Sequence, residues 1–440
     1  MSTPHRPPTD RRRARAALCV SAVLGALALP AQAQLRLPSL NTPTLPALPR
    51  TPATSLQETL QQAVPLQDLR RATMRELLRR HADTLEADPA GEPMRRQELL
   101  LIAPAPATVD AALAQGFTLL REQALEELGL RHVVLRPPAG IGTARAAERL
   151  RALDPQLQID FNHVYLRSGE VEAADAAASA VVRSGRARVG LVDSGVERRH
   201  AALRPVTLHG WGCGGSEHPS AHGTAVASLL IGRDGAFAGV LADAALYAAD
   251  VYCDEATGGS VETVVQALAW MARERVPVIN VSLVGPSNRL LEHAVLALIR
   301  KGHLVVAAVG NDGPAAPPLY PASYAGVVGV TGVTTTRRAL PEAAQGPQVM
   351  LAAPGAELAV ARPGGGYVVA RGTSFAAPVV AGLLAETLHE PDVQLAARAL
   401  AQLTARAVDL GAPGRDPVFG FGCVGEAART PPERVQARLR

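Results

Sequence analysis

Hydrolysing an amide near neutral pH takes a nucleophile, a base to strip its proton, a carboxylate to orient that base, and N–H donors for the oxyanion. An aspartate, a histidine, a serine and an asparagine of this chain stand where those parts are wanted. Asp193 closes the apolar run ARVGLV and precedes Ser194-Gly195, so it falls at the carboxyl end of a buried strand, where open α/β sheets carry their sites. His222 opens HGTAVASLLIG, a loop entering a helix of small residues. Ser374 lies in GTSFAAPVVAGLLAE, where a glycine-containing turn leads into an Ala- and Gly-rich helix. Free N–H groups and the positive dipole end favour negative charge there. Pro378 reads as part of that helix's first turn, where a missing donor costs little. Asn311 follows the run HLVVAAVG, and its amide can donate beside the backbone N–H of Ser374. Taken singly, each has a plainer role as turn residue, structural histidine or helix cap.

Their order along the chain is Asp, His, Ser, the order of the subtilisin triad. The stretches VDSGV (192–196), HGTAVAS (222–228), INVSL (279–283), AAVGNDG (307–313) and GTSFAAP (372–378) resemble the signature segments of subtilisin-like serine proteases, over residues 186–429. The resemblance implies Asp193 as orienting carboxylate, His222 as base and then acid, Ser374 as nucleophile and Asn311 as oxyanion donor. It also implies that Ser282, Leu283 and Gly285 pair with an extended protein or peptide substrate, and that Ala307, Ala308, Val309 and Gly310 wall the primary specificity pocket. It implies no cofactor. Three departures stand out. Ala225 replaces a histidine frequent in the family, Val309 is bulkier than usual and makes the pocket shallower, and GRDGAFAG (232–239) is too short and ligand-poor for the family's calcium loop. A protease-shaped scaffold or binding protein without turnover is the alternative reading.

The elements that must position these groups are apolar runs without polar alternation: ARVGLVD, AALYAADVY, VPVINVSL, HLVVAAVGN and GVVGVTGV. Such runs fit strands buried on both faces, hence an α/β catalytic domain of three layers with a mainly parallel sheet. Ahead of it, residues 98–167 read β-α-β-β-α-β, a small α+β ferredoxin-like module. This module resembles the family's propeptide, a folding aid and inhibitor, which makes it a partner of the catalytic domain. Residues 168–185 are an Ala- and Ser-rich connector, and self-cleavage is expected between Asn162 and Gly185. Residues 56–97 read as a helical segment, its amphipathic pattern from Leu56 to Ala87 interrupted by Pro65.

The remaining divisions are a signal peptide at 1–33, a Pro-rich linker at 34–55 and a tail at 430–440. The first has an Arg-rich start, an apolar run from about Ala16 to Leu29 and a small-residue cleavage site after Ala33. Its five arginines and single acid account for the whole formal charge of +4, which leaves no electrostatic case for nucleic acid. No later stretch reaches the roughly 18 apolar residues of a membrane span. The expected product is an exported monomer, periplasmic or extracellular. In such a compartment Cys213 and Cys253 are either a bridge or two free thiols, and Cys423 is a lone buried residue. His209, Cys213, His218 and His222 fall within fourteen residues, but their spacing lacks the tight pairs of zinc sites, and they read as loop residues with no metal.

Overall fold

The computed structural model describes residues 56–172, 187–235 and 237–430. The signal-like segment, the linker, most of the connector and all of the tail but Thr430 lie outside those residues. None of the described helices is long and apolar enough to cross a membrane.

Helix α1 (Leu56–Arg80) continues through Pro65, where the sequence pattern predicts a break. A proline removes one backbone bond, yet its fixed φ near −65° is itself helical, so the chain need not turn there. On this helix Arg70 reaches Glu92 at 3.0 Å and Asp312 at 2.7 Å. The helical pattern then stops earlier than predicted. Strand β1 (Leu85–Ala87) pairs antiparallel with β2 (Pro93–Ile102) across a turn in which Asp88 Oδ1 accepts from the N–H groups of Ala90 and Glu92. The small module therefore begins near residue 85 rather than 98. Asp-Pro-Ala-Gly at 88–91 is a turn signal that overrides the flanking helical period.

The module continues with α2 (Pro106–Ala114), β3 (Thr118–Leu125), β4 (Leu130–Arg136), α3 (Thr143–Leu153) and β5 (Gln158–Arg167). Its strands run β5-β2-β4-β3, all antiparallel, which is the ferredoxin-like arrangement read from the sequence. Alternation along the strands decides what each face covers. Leu99, Leu101, Val133, Leu135, Ile159 and Phe161 bury against α2 and α3 in a core of their own. Leu100, Ile102, Val134 and Tyr165 face the other way, into the core of the larger domain. Beyond β5, residues Glu170–Glu172 form the short strand β6.

The larger domain opens with β7 (Arg188–Asp193), β8 (Leu208–Trp211), α4 (Ala221–Ile231) and a small hairpin of β9 (Arg233–Asp234) and β10 (Phe237–Ala238). Then come β11 (Ala245–Asp250), β12 (Gly259–Ser260), α5 (Val261–Arg273), β13 (Val278–Val281), β14 (Leu283–Val284) and α6 (Arg289–Arg300). Strands β15 (Leu304–Ala308), β16 (Val328–Val333) and β17 (Val349–Pro354) complete one side of the sheet. The hairpin of β18 (Leu358–Ala361) and β19 (Tyr367–Arg371) precedes α7 (Thr373–Ala385) and α8 (Val393–Ala405).

Seven strands form one parallel sheet in the order β17-β16-β15-β13-β7-β11-β8. Val189 and Leu191 of β7 face α4 and α7, while Val192 faces α5 and α6, so the sheet is the middle of three layers. The strand order reverses at β7. Open α/β sheets bind ligands outside the carboxyl ends of strands at such a point, and β7 ends in Asp193.

Candidate active site

Asp193 is wholly buried, and its Oδ1 accepts from Ser194 N at 2.6 Å and from Ser194 Oγ at 2.9 Å. Those bonds fix the carboxylate as an acceptor. His222 is the second residue of α4, and the helix settles onto the end of β7 because position 223 is glycine. A Cβ there would collide with the carbonyl of Ser194. His222 Nδ1 consequently lies 2.9 Å from both oxygens of Asp193, and its Nε2 lies 3.0 Å from Ser374 Oγ. Asp193 and Ser374 are inaccessible and His222 is 4% exposed, so the line of charge and hydroxyl lies in a medium of low effective dielectric.

Ser374 is the second residue of α7, and Pro378 is the sixth rather than part of the first turn. The missing N–H of Pro378 would have bonded the carbonyl of Ser374 four residues earlier. Ser282 Oγ takes its place, donating to that carbonyl at 3.1 Å and itself receiving Asn280 Nδ2 at 2.8 Å. The hydroxyl of Ser282 thus supports the backbone of Ser374. Asn311 is held by its Oδ1, which accepts from Thr373 N at 3.0 Å, while Thr373 Oγ1 accepts from Gly310 N at 3.2 Å. That leaves Asn311 Nδ2 beside the groove.

Part of the chain itself occupies the groove. The end of β5 lies between β12 and β14, antiparallel to both, with Val164 opposite Ser260, Tyr165 opposite Gly259, Leu166 opposite Val284 and Arg167 opposite Leu283. Tyr165 is fully buried against Gly285, and its hydroxyl donates to the carbonyl of Pro286 at 2.6 Å. The carbonyl oxygen of Ser168 is 3.1 Å from His222 Nε2, and Ser168 Oγ accepts from Asn311 Nδ2 at 2.8 Å. Gly169 has a φ of 119°, and a Cβ on it would collide with Ser374 Oγ. Immediately beyond, β6 pairs antiparallel with β19. The chain therefore crosses Ser374 unbroken, held by strand pairing on both sides.

Residues 185–422 match the Peptidase_S8 profile, that of the subtilase family. The chain belongs to that family. Subtilisin DY of Bacillus licheniformis is 30% identical over 232 residues, which are 51% of this chain and 84% of that protein. The minor extracellular protease Epr of Bacillus subtilis (strain 168) is 29% identical over 206 residues, 46% of this chain, and the chain spans only 32% of its length. The crystal structure of fervidolysin from Fervidobacterium pennivorans, a keratinolytic enzyme related to subtilisin, superposes with a TM-score of 0.63 at 19% identity. That match covers 76% of this chain and 61% of fervidolysin, and shows the shared fold. The larger domain is thus a serine-type endopeptidase domain of the subtilase type.

Of the residues read as substrate-binding, Leu283 and Gly285 border this subtilase's groove, and Gly310 lies in the loop that leads to Asn311 with a φ of 102°. Ala307, Ala308 and Val309, expected as a pocket wall, are inaccessible, and their side chains join the two cores that flank the sheet. Ala307 pairs with both β13 and β16, Ala308 pairs with β16, and Val309 N donates to the carbonyl of Val330 at 3.1 Å. Cys213 and Cys253 are joined as a disulfide. Cys423 is buried, which pushes its thiol up to about 12. His209 stacks on Tyr247 at 4.5 Å, and His218 Nδ1 lies 2.5 Å from Asp254 Oδ2. With Cys213 bridged and His222 bonded to Asp193, the four residues clustered in the sequence converge on no common point. Sequence reading missed Tyr165, Arg167, Ser168 and Gly169 as occupants of the groove. Only the fall of Ser168-Gly169 inside the expected cleavage window hinted at them.

Proposed function

We propose that this subtilase is an exported serine endopeptidase made as a zymogen, which cuts its own Ser168–Gly169 bond and afterwards hydrolyses protein or peptide substrates. The observation that carries the reading is the passage of residues 164–172 through the groove, strand-paired before and after Ser374. A substrate bound as an added strand presents its scissile bond in the same way.

In the proposed reaction Ser374 Oγ attacks the carbonyl carbon of Ser168 while His222 Nε2 takes the hydroxyl proton. Asp193 stabilises the resulting imidazolium. The oxyanion is received by Asn311 Nδ2 and by the N–H of Ser374 at the start of α7. Because the carbonyl oxygen of Ser168 faces His222 and Asn311 engages its hydroxyl, a turn of the Ser168 peptide precedes attack. Collapse of the tetrahedral species breaks the C–N bond, and His222 returns its proton to the nitrogen of Gly169. Water, deprotonated by His222, then attacks the acyl group and frees Ser374, leaving a carboxylate on Ser168. The module remains paired through β5 after the cut and acts as a product-like inhibitor. Export rests on the Arg-rich, apolar start of the chain and on the disulfide, which suits an oxidising compartment.

The test is to express the full chain as wild type and as Ser374→Ala, map the termini by mass spectrometry, and profile cleavage of a proteome-derived peptide library. Wild type is expected to carry a new amino terminus at Gly169, to cut the library and to bind a fluorophosphonate probe. The variant is expected to stay intact and inert. Peptidase activity in purified Ser374→Ala, or an active wild type with its terminus elsewhere, refutes the assignment.

A further inference from the structure

If the cut falls after Ser168, then Arg167 is the second residue on the amino side of the cut bond. We propose that this subsite selects arginine in substrates, through the ring of Tyr252 and the hydroxyl of Ser220. The inference rests on the proposed function and adds a substrate class to it.

Arg167 Nη1 donates to Ser220 Oγ at 2.9 Å, and its guanidinium carbon stands 4.9 Å from the centroid of the Tyr252 ring. Both partners belong to the catalytic domain. Ser220 immediately precedes α4, which carries His222 as its second residue, so the distance between the arginine seat and the base is fixed by the backbone. Tyr252 is 4% exposed and packs in the same core as Val192 and Val251, so its ring is a rigid platform. A guanidinium is flat, stays charged and stacks on such a face, whereas a lysine ammonium offers a point charge without the planar contact.

The charges around the seat favour a cation. Asp250, Asp254 and Glu255 border the same concavity as Arg167 and Ser220, and His218 is the basic group there. Asp254 is partnered by His218 and Glu255 by Arg95, while Asp250 Oδ1 accepts only from the backbone N–H groups of Tyr252 and Cys253. Arg95 belongs to the small module. When the module leaves, Glu255 loses its counterion and the concavity becomes more negative for the next arginine. Neither Ser220 nor Tyr252 touches the reacting atoms, so they act on selectivity.

The test compares kcat/KM of the self-processed enzyme on three peptides: Tyr-Leu-Arg-Ser-Gly-Glu and the same sequence with lysine or alanine in place of arginine. A stacked, hydrogen-bonded guanidinium predicts that arginine exceeds alanine by about 10-fold, with lysine between them. Tyr252→Leu, which keeps the apolar bulk, and Ser220→Ala should each lower the arginine-to-alanine ratio by about 3-fold or more. Equal cleavage of arginine and alanine peptides by wild type, or a ratio unmoved by both variants, overturns the selectivity while the protease reading stands. Failure to cut any of the three, or the peptide library, overturns both.

Discussion

Glu262, in the first turn of α5, ties the larger domain to the small module, and under the proposed self-cleavage its charge should set how tightly the cut module is retained. The residue is 5% exposed. Its carboxylate accepts from Arg121 Nε at 3.1 Å to each oxygen and from Nη2 at 2.7 Å, and lies 3.2 Å from His132 Nε2. Removing one partner of a buried pair costs about 3–5 kcal/mol. Arg121 is 43% exposed at its side chain and keeps Glu98 at 2.6 Å, so solvent screening reduces the Glu262→Gln loss to about 2 kcal/mol. That is about 30-fold in affinity. The assay is dilution of the processed, co-purified complex, with regained peptidase activity reporting dissociation. Acid adds a second readout. Burial raises the Glu262 carboxyl, but the bonds from His132 and Arg121 outweigh it and hold the group below the usual carboxylate range. In the free enzyme, stripped of both partners, it returns towards the ordinary value of about 4.3. A group depressed in the complex favours association above its free value and loses that advantage as pH falls through the bound value. Wild-type retention should therefore weaken as pH falls below the ordinary carboxylate range, and the two proteins should converge only once pH is below the bound value. Equal dissociation of wild type and Glu262→Gln at neutral pH would refute the reasoning.

Two further outcomes follow from the groove and the loops around it. Gly169→Val puts a branched side chain at a φ of 119° and against Ser374 Oγ, so self-cleavage should slow by about 100-fold or more, read as persistence of the full-length band while Ser374 is intact. Cys213 and Cys253 are separated by 40 positions, and opening a loop of that length by Cys253→Ser should cost about 4 kcal/mol, visible as a lower denaturation midpoint that a reductant reproduces in wild type.

The convergence of Asp193, His222 and Ser374 was legible because its signals are local. Asp193 and Asn311 each follow a short apolar run rich in β-branched residues, which fits a strand buried on both faces of a sheet. Ser374 opens a helix too small and apolar to lie at the surface. Strand β8, Leu-His-Gly-Trp, was missed because an edge strand is half exposed and shows no sustained pattern. The β18–β19 hairpin was missed although Pro-Gly-Gly-Gly at 363–366 is a turn signal, and the turn at 88–91 would likewise have shown where the module begins.

What no local pattern carries is the seat of residues 164–169. Tyr165 and Arg167 gain their meaning from Gly259, Leu283, Ser220 and Tyr252, all at least 50 residues further along. A strand pairing of that separation leaves no period in the sequence, because either partner would read the same if it paired elsewhere. The link from Pro378 through Ser374 to Ser282 is hidden for the same reason. The proline announces only an unpaired carbonyl, and which hydroxyl answers it is decided by how β13 and β14 pass beneath α7. A sequence of this kind therefore discloses its reacting groups before it discloses what they act on, since the first are fixed by burial along the chain and the second by contacts across it.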